Sequence, residues 1–333
     1  MAAITNTYVT SNSNRNREVF ANTIDMTTPE ETPLVSLIGS ESVDGVNPTW
    51  SLDALATPVT TNKRAQGDQY SWSATTPTTR VGNHTQIMMK EFIIAKTQEV
   101  VSKAGAKSDF NREKLKKGIE LKTDLEVTIA SNNPSIAASG ATAGQLGGLR
   151  AWLTTNDSLG ATGASGGFSG GIVAASTLGT QRTFTKALMD DNIQSVYQAG
   201  GNPSILMVSP YLKRVFSTFM SDANVVANRG KAEGKEQVRI YAAADEYLSD
   251  FGLISVMPNR QWARVGAAAC RNAFLLEPSK LAVGVLREVA EDPDLAVNAD
   301  AKPGAIVQEK TLIVKNEAAL GVIADLFGFT AAS

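Results

Sequence analysis

Two overlapping serine motifs head the list of residues that could do chemistry. Gly163-Ala164-Ser165-Gly166-Gly167 and Gly167-Phe168-Ser169-Gly170-Gly171 both satisfy G-x-S-x-G. In serine hydrolases that spacing holds the nucleophile on a sharp strand-to-helix turn, with an acid and then a histidine later in the chain. Here the only histidine, His84, comes earlier. Overlapping matches are also what a Gly/Ser-rich run produces by composition, so a hydrolase using Ser165 or Ser169 is the remote reading.

The other candidates are thinner. Asp250-Phe251-Gly252 matches a kinase tripeptide, but no Gly-rich nucleotide loop or His-Arg-Asp loop accompanies it. Gly230-Lys231-Ala232-Glu233-Gly234-Lys235 is one residue short of a phosphate-binding loop and lacks the Ser or Thr after Lys235. One histidine and one cysteine exclude His-rich or Cys-rich metal sites and most two-residue acid/base pairs. His84 lies in a polar strand region and reads as a surface residue; Cys270, in AAAC, reads as a small buried one. Asp190-Asp191 and Glu291-Asp292 read as solvated faces rather than cation sites. No catalytic residue, metal site or cofactor is expected.

The elements that would have to position such residues are more informative. The chain has 333 residues, 43% hydrophobic and 19% charged, enough for a sizeable core and about two domains. Its 31 basic and 33 acidic residues give a formal charge of -2, so no global basic field draws it onto nucleic acid. The start has no basic n-region followed by an apolar run, and no stretch approaches the ~20 apolar residues of a membrane span. A cytoplasmic origin is expected, and a single cysteine excludes an intrachain disulfide. The sequons Asn83-His84-Thr85 and Asn156-Asp157-Ser158 are then chance matches.

The first 28 residues, rich in Asn, Thr and Ser, read as an arm ordered only by contact with something else. Thr28-Pro29-Glu30-Glu31 is a helix-start signature leading into the apolar anchor Leu34-Val35-Ser36-Leu37-Ile38. From Pro48 to Lys96 the pattern is extended: Trp50 and Leu52, then Tyr70 and Trp72, alternate with polar residues, and Ile87 to Ile94 reads as a buried strand. Between them, Leu55, Val59, Tyr70, Trp72 and Val81 are the only large apolar residues. A two-stranded ribbon of that composition, turning near Ala65-Gln66-Gly67-Asp68, buries too little to stand alone in water. It must be disordered or lie on another surface.

Lys107 to Ser131 is the clearest helix, a rod of about 37 Å. Phe110, Leu115, Ile119, Leu121, Leu125 and Ile129 share one half of the wheel; Asp109, Arg112, Glu113, Lys116, Lys117, Glu120 and Asp124 share the other. That charged face is either solvated or paired with a neighbouring subunit. Gly140 to Gly171, interrupted by GLRAWL, reads as a long surface loop at a boundary. A second compact unit follows: a helix over KALMDDNIQSVYQ, the strand SILMVS, Ser209-Pro210 opening a second helix, then strands at 238–248, 251–258, two within 272–288, and one through 311–315. The class is α+β with one long helix and many strands.

Three stretches in order carry a resemblance: DMTTPEETPLVSLIGSESVDGVNPTWSLDAL (25–55), FTKALMDDNIQSVYQAGGNPSILMVSPYLKR (184–214) and EKTLIVKNEAALGVIADL (309–326). Together they are similar to major capsid proteins of tailed bacteriophages. The resemblance implies the Hong Kong phage type of coat fold: an N-terminal arm at 1–47, an extended β-hairpin loop at 48–96, and a peripheral domain at 97–178 with its spine helix at 107–131. An axial domain at 179–276 and a return to the peripheral domain at 277–333 would complete it. It further implies self-assembly into hexamers and pentamers of an icosahedral capsid around double-stranded DNA. The partners would be the chain itself, portal, scaffolding or decoration proteins, and DNA by weak non-specific contact, with no membrane; the location would be the virion, assembled in the host cytoplasm. Inter-subunit contacts are expected from Lys63, Arg64, Asp68, Tyr70, Trp72 and Arg80 in the loop, and from Arg112, Lys116, Lys117 and Glu120 on the spine helix. Lys63 is a candidate donor for an isopeptide cross-link, though ordinary non-covalent contact is the expectation. A shell protein of a cellular nanocompartment, with the same fold and enzyme cargo, is the alternative.

Overall fold

The computed structural model describes residues 28–70, 72–101, 108–219, 245–296 and 300–331. The first part of the expected arm, the Gly230 to Lys235 loop and the beginning of the expected strand at 238–248 lie outside the described residues.

The long helix runs Asp109–Ala130. It starts where Ser108 Oγ accepts from the Asn111 N–H at 3.2 Å, with Asp109 in the first turn facing the positive end of the helix dipole. Phe110, Leu121, Leu125 and Ile129 are buried as the spacing requires, but Leu115 is 72% exposed. The helix rests on two strands, Gln86–Ala95 and Ala301–Val314. Contacts hold the layer at the start of the helix and at its middle: Phe92 against Phe110 with centroids 5.0 Å apart, and Gln308 Nε2 donating to the Leu121 carbonyl at 3.2 Å.

These strands belong to a four-stranded sheet in the order 39–42, 281–291, 301–314, 86–95, antiparallel except for the first pair. Strand Gln86–Ala95 is an edge, covered on one face only. The expectation of a fully buried strand is therefore corrected: Met88 is buried, whereas Ile87, Met89 and Ile93 stand exposed on the other face.

A six-stranded sheet runs 157–158, 321–323, 273–276, 205–208, 252–258, 246–249. It forms a wall between two hydrophobic cores. Leu206 and Val208 face one core with the helices Lys186–Gln198 and Pro210–Phe219, while Met207 between them faces the core of the long helix. The same alternation separates Ala273 and Leu275 from Phe274 and Leu276. Both helices begin as the sequence indicated, with Thr185 and Ser209 accepting from the N–H groups of Leu188 and Leu212.

The Gly-rich stretch is surface loop on both flanks, 137–143 and 161–171, and the GLRAWL that interrupts it is core. Leu149, Arg150, Ala151 and Trp152 form one buried helical turn, and Leu146 and Leu153 beside it are also buried. Glycine here serves close packing: a Cβ on Gly148 would strike the Ser131 carbonyl. Asn83 is buried too, its side chain bonded to the Gly147 and Leu312 carbonyls and to the Gly147 N–H. Asn156 is likewise committed to the Ala318 and Leu320 carbonyls.

Cys270 is buried as expected, and burial pushes its thiol up to about 11. Its protonated form is thus favoured by folding, a contribution intact below the ordinary thiol value of about 8.5 and lost as pH rises toward 11. A thiol reagent such as dithionitrobenzoate at pH 8 is expected to leave Cys270 unmodified in the native protein and to react with it on unfolding. Rapid native labelling would contradict the buried placement.

Candidate assembly surface

The extended loop leaves the body on Thr49–Leu52 and returns on Thr79–Gly82, paired antiparallel from Thr49↔Gly82 to Leu52↔Thr79. Its root is fixed to the core: Trp50 Nε1 donates to the Val314 carbonyl at 3.0 Å, and the Trp50 ring stacks on buried Trp152 at 5.4 Å. A small hairpin, Phe168–Ser169 and Ile172–Val173, extends this sheet on the far side of the returning strand. The Gly82 N–H donates to the Gly171 carbonyl at 2.9 Å. Gly171 has φ +81 and a Cβ there would strike the Arg80 carbonyl, so only glycine lets the hairpin sit so close.

Beyond Leu52 and Thr79 the ladder stops, and every described residue from Asp53 to Arg80 is exposed. The expected two-stranded ribbon is therefore corrected to a short paired root carrying unpaired extended chain, since two strands with few apolar residues gain too little from pairing alone. The turn is where the sequence placed it: Asp68 N–H donates to the Ala65 carbonyl at 3.1 Å, with Gly67 at φ +84, as a type II turn demands.

Around that turn lie the residues singled out for contact. Tyr70 and Trp72 are 87% and 92% exposed, their rings 6.3 Å apart. Arg64 and Asp68 pair with each other at 3.5 Å, and Lys63 is exposed beside them. Arg80 sits at the root instead, donating from Nε and Nη2 to Thr49 Oγ1 at 3.0 and 2.7 Å. On the spine helix, Arg112 lies 3.1 Å from Glu113 and 3.9 Å from Asp109, Lys117 pairs with Glu120 at 2.8 Å, and Lys116 is exposed. Most of these charges thus already have partners on their own helix. Sequence reasoning missed the exposed Leu115, Ile87, Met89 and Ile93; for the strand, the alternation within IMMKEFII was the available signal.

The arm enters through a buried polar clasp that the sequence did not reveal. The short helix Pro33–Leu37 begins at Thr32-Pro33 rather than the expected Thr28-Pro29, and Thr32 does not cap it. Glu126 of the long helix does: its Oε1 accepts from the Leu34 N–H at 2.8 Å and its Oε2 from the Val35 N–H at 2.7 Å. Asn259 Nδ2 adds a third bond at 2.6 Å, and Gln261 Nε2 holds the Pro29 and Glu31 carbonyls. Glu126 is 0% exposed. Burial raises its carboxyl above the ordinary value, opposed by the bonds from Val35, Leu34 and Asn259 and by the Lys122 charge.

The residues considered for chemistry lie elsewhere. Ser169 is in the two-residue hairpin strand and Ser165 donates to Asp157; neither occupies a strand-to-helix turn. Asp250 and Phe251 turn the hairpin between Glu246–Ser249 and Gly252–Pro258. Asp190 joins Lys186 and Tyr247, and Glu291 pairs with Lys114. His84 is half-buried rather than on the surface, its Nδ1 3.0 Å from Ser135 Oγ. Among the described residues no three His, Cys, Asp or Glu side chains gather in a metal-binding group, and no helix is long and apolar enough to cross a membrane.

A two-layer body with a long helix, a shared wall of strands and a projecting loop is the architecture of tailed-phage capsid proteins. The Cyanophage A-1(L) capsid asymmetric unit superposes with a TM-score of 0.61 at 15% identity, over 96% of this chain and 98% of that one. A chain of Mycobacterium phage Bobi gives 0.59 at 10% identity, over 93% and 95%. The capsid of the native GTA particle gives 0.58 at 12% identity, over 97% and 98%. The major capsid protein of Escherichia phage Phieco32 is 27% identical over 240 residues, 63% of this chain and 68% of that protein. Residues 3–327 match the model of the SU10 major capsid protein family, and the chain belongs to that family. It is a phage major capsid protein, a self-assembling structural component of the virion.

Proposed function

We propose that the chain builds hexamers and pentamers of an icosahedral shell enclosing double-stranded DNA, with each extended loop completed by a neighbouring subunit. The single observation that carries this is the loop itself: chain from Asp53 to Arg80 that is exposed throughout its described length and ends in two bare aromatic rings. A Trp and a Tyr standing almost wholly in water near a turn are of the residue types enriched where one chain meets another. In this reading 1–47 is the arm, 48–96 the loop, 97–178 and 277–333 the peripheral domain, and 179–276 the axial domain.

The near-balanced charge suits a lining that contacts packaged DNA weakly and without sequence preference. Portal, scaffolding or decoration proteins are the further partners, assembly takes place in the host cytoplasm, and no residue is assigned a catalytic role. Electron microscopy of the expressed protein tests the reading: closed shells are expected, and a chain that stays monomeric or dimeric under all assembly conditions would overturn it. A serine-reactive fluorophosphonate is expected to leave Ser165 and Ser169 unlabelled. Stoichiometric labelling of either, read by peptide mass, would restore the hydrolase reading.

A further inference from the structure

At the root of the loop, a pocket of about 380 Å³ opens between the returning strand and the small hairpin, lined by Asn47, Thr49, Arg80, His84, Gly170 and Gly171 among others. No carboxylate is among its lining residues. Its polar character is set by two cationic or donor groups held in place by neighbours.

Arg80 is the first. Thr49 Oγ1 takes two of the donors of its guanidinium, which fixes the plane of the group and leaves the outer edge of a five-donor fork for another acceptor. His84 is the second. Ser135 Oγ accepts from the His84 backbone N–H at 2.9 Å and lies 3.0 Å from Nδ1. A bond in which Ser135 donates to Nδ1 puts the imidazole proton on Nε2, the tautomer that an anionic ligand requires. Burial holds the imidazole below its ordinary value, so at neutral pH it is uncharged.

The mounting is rigid. Asn83, adjacent to His84, is buried with three hydrogen bonds, and the hairpin is tied to the strand through Gly82 and Gly171. A concave surface with a fixed guanidinium, an imidazole N–H and no acid is complementary to an oxyanion.

We infer that this pocket is an oxyanion site, its ligand held by Arg80 and His84. The oxyanion has two available sources: an acidic side chain of a second copy of the chain, or a free small oxyanion. The first rests on the shell-building reading above; the site itself does not. A neighbour's carboxylate would latch the root of the loop, whereas Tyr70 and Trp72 act at its tip.

His84 is the only histidine, so its Cε1–H resonance is an unambiguous reporter. Acetate, and separately inorganic phosphate, would be titrated into subunits kept below their assembly concentration. A saturable shift of that resonance is expected, weakened about tenfold in Arg80→Gln, the loss of roughly one charge-assisted hydrogen bond. Arg80 is exposed, so the variant should melt with the wild type. A critical assembly concentration raised about tenfold by Arg80→Gln assigns the ligand to a neighbouring subunit. An unchanged critical concentration with the titration intact assigns it to a free oxyanion. Absence of a saturable response to either anion, or an equal response in Arg80→Gln, overturns the site. Failure of the wild type to form shells would instead strike the functional reading and leave the titration standing.

Discussion

Replacing Tyr70 and Trp72 together by serine is expected to abolish shell formation at concentrations where the wild type assembles, without loss of subunit stability. The two halves of that result have separate causes. In the isolated subunit the rings lie 6.3 Å from each other and are almost wholly in water, so their removal costs the fold little. Across a subunit interface, buried Trp and Tyr are the side chains that most often contribute 2 kcal/mol or more. One such loss raises a critical concentration about thirtyfold. Sedimentation of the variant beside the wild type reads particle formation, and denaturant unfolding reads the subunit. Particles at unchanged yield would show that the rings are not anchors, and a lowered unfolding midpoint would show that they support the body.

The second large effect falls on the body. Glu126→Ala is expected to destabilise the subunit by on the order of 3 kcal/mol, because it strips the acceptor from the Leu34 and Val35 N–H groups and from Asn259 in a dry site. Glu126→Gln keeps one acceptor oxygen and turns an amide toward a donor, so a smaller loss, about 1 kcal/mol, is expected. The alanine variant should also release the chain around Pro33 to limited proteolysis, since the helix Pro33–Leu37 would keep only its apolar contacts. Glu113→Ala, half-buried on the charged half of the same helix and paired with the exposed Arg112, is the control and should cost less than about 1 kcal/mol, the worth of such a surface pair. An alanine variant within 0.5 kcal/mol of wild type would mean that water or Thr32 replaces the clasp.

What the sequence disclosed, and what it hid, follows from which signals are local. The long helix was legible because its apolar spacing recurs every three or four residues, a signal carried within each turn. The loop turn was legible for the same reason, Gly67 being the position that needs a positive φ. Glu126 was not, because its partners lie 91, 92 and 133 residues away and an acid on a helix defaults to solvent. Its place between Leu125 and Ile129 on the apolar half was the only hint. GLRAWL stood out from the Gly-rich run, but its burial was not legible because glycine signals both looseness and close approach; Gly148 against Ser131 is the second kind. Leu115 matched the apolar period yet is exposed, since periodicity identifies a face but not how far along the helix that face is covered.

In the candidate contact site, the exposure of Tyr70 and Trp72 was legible, since they are apolar residues in a segment too thin to bury them. The roles of Arg64, Asp68, Arg112, Lys117 and Glu120 were less so, because charge in a sequence does not reveal whether its counter-charge is one turn away or on another molecule. In the structure these five have partners on their own segment. Arg80 is bound to Thr49 at the root, where the strand ladder rather than the loop determines its neighbours.

The abrupt end of that ladder at Leu52 and Thr79 has a mechanical consequence. The loop is a cantilever, clamped at its root by Trp50 and the four-stranded sheet and unsupported beyond it. Bending is therefore concentrated at Asp53 and Thr78, where hydrogen-bonded sheet gives way to single strands. In the closed surface proposed above, rings of six and rings of five would bring neighbouring bodies together at different tilts. A hinge at this step would let one cast of the body serve every position, with the angle absorbed by a few backbone torsions outside both cores.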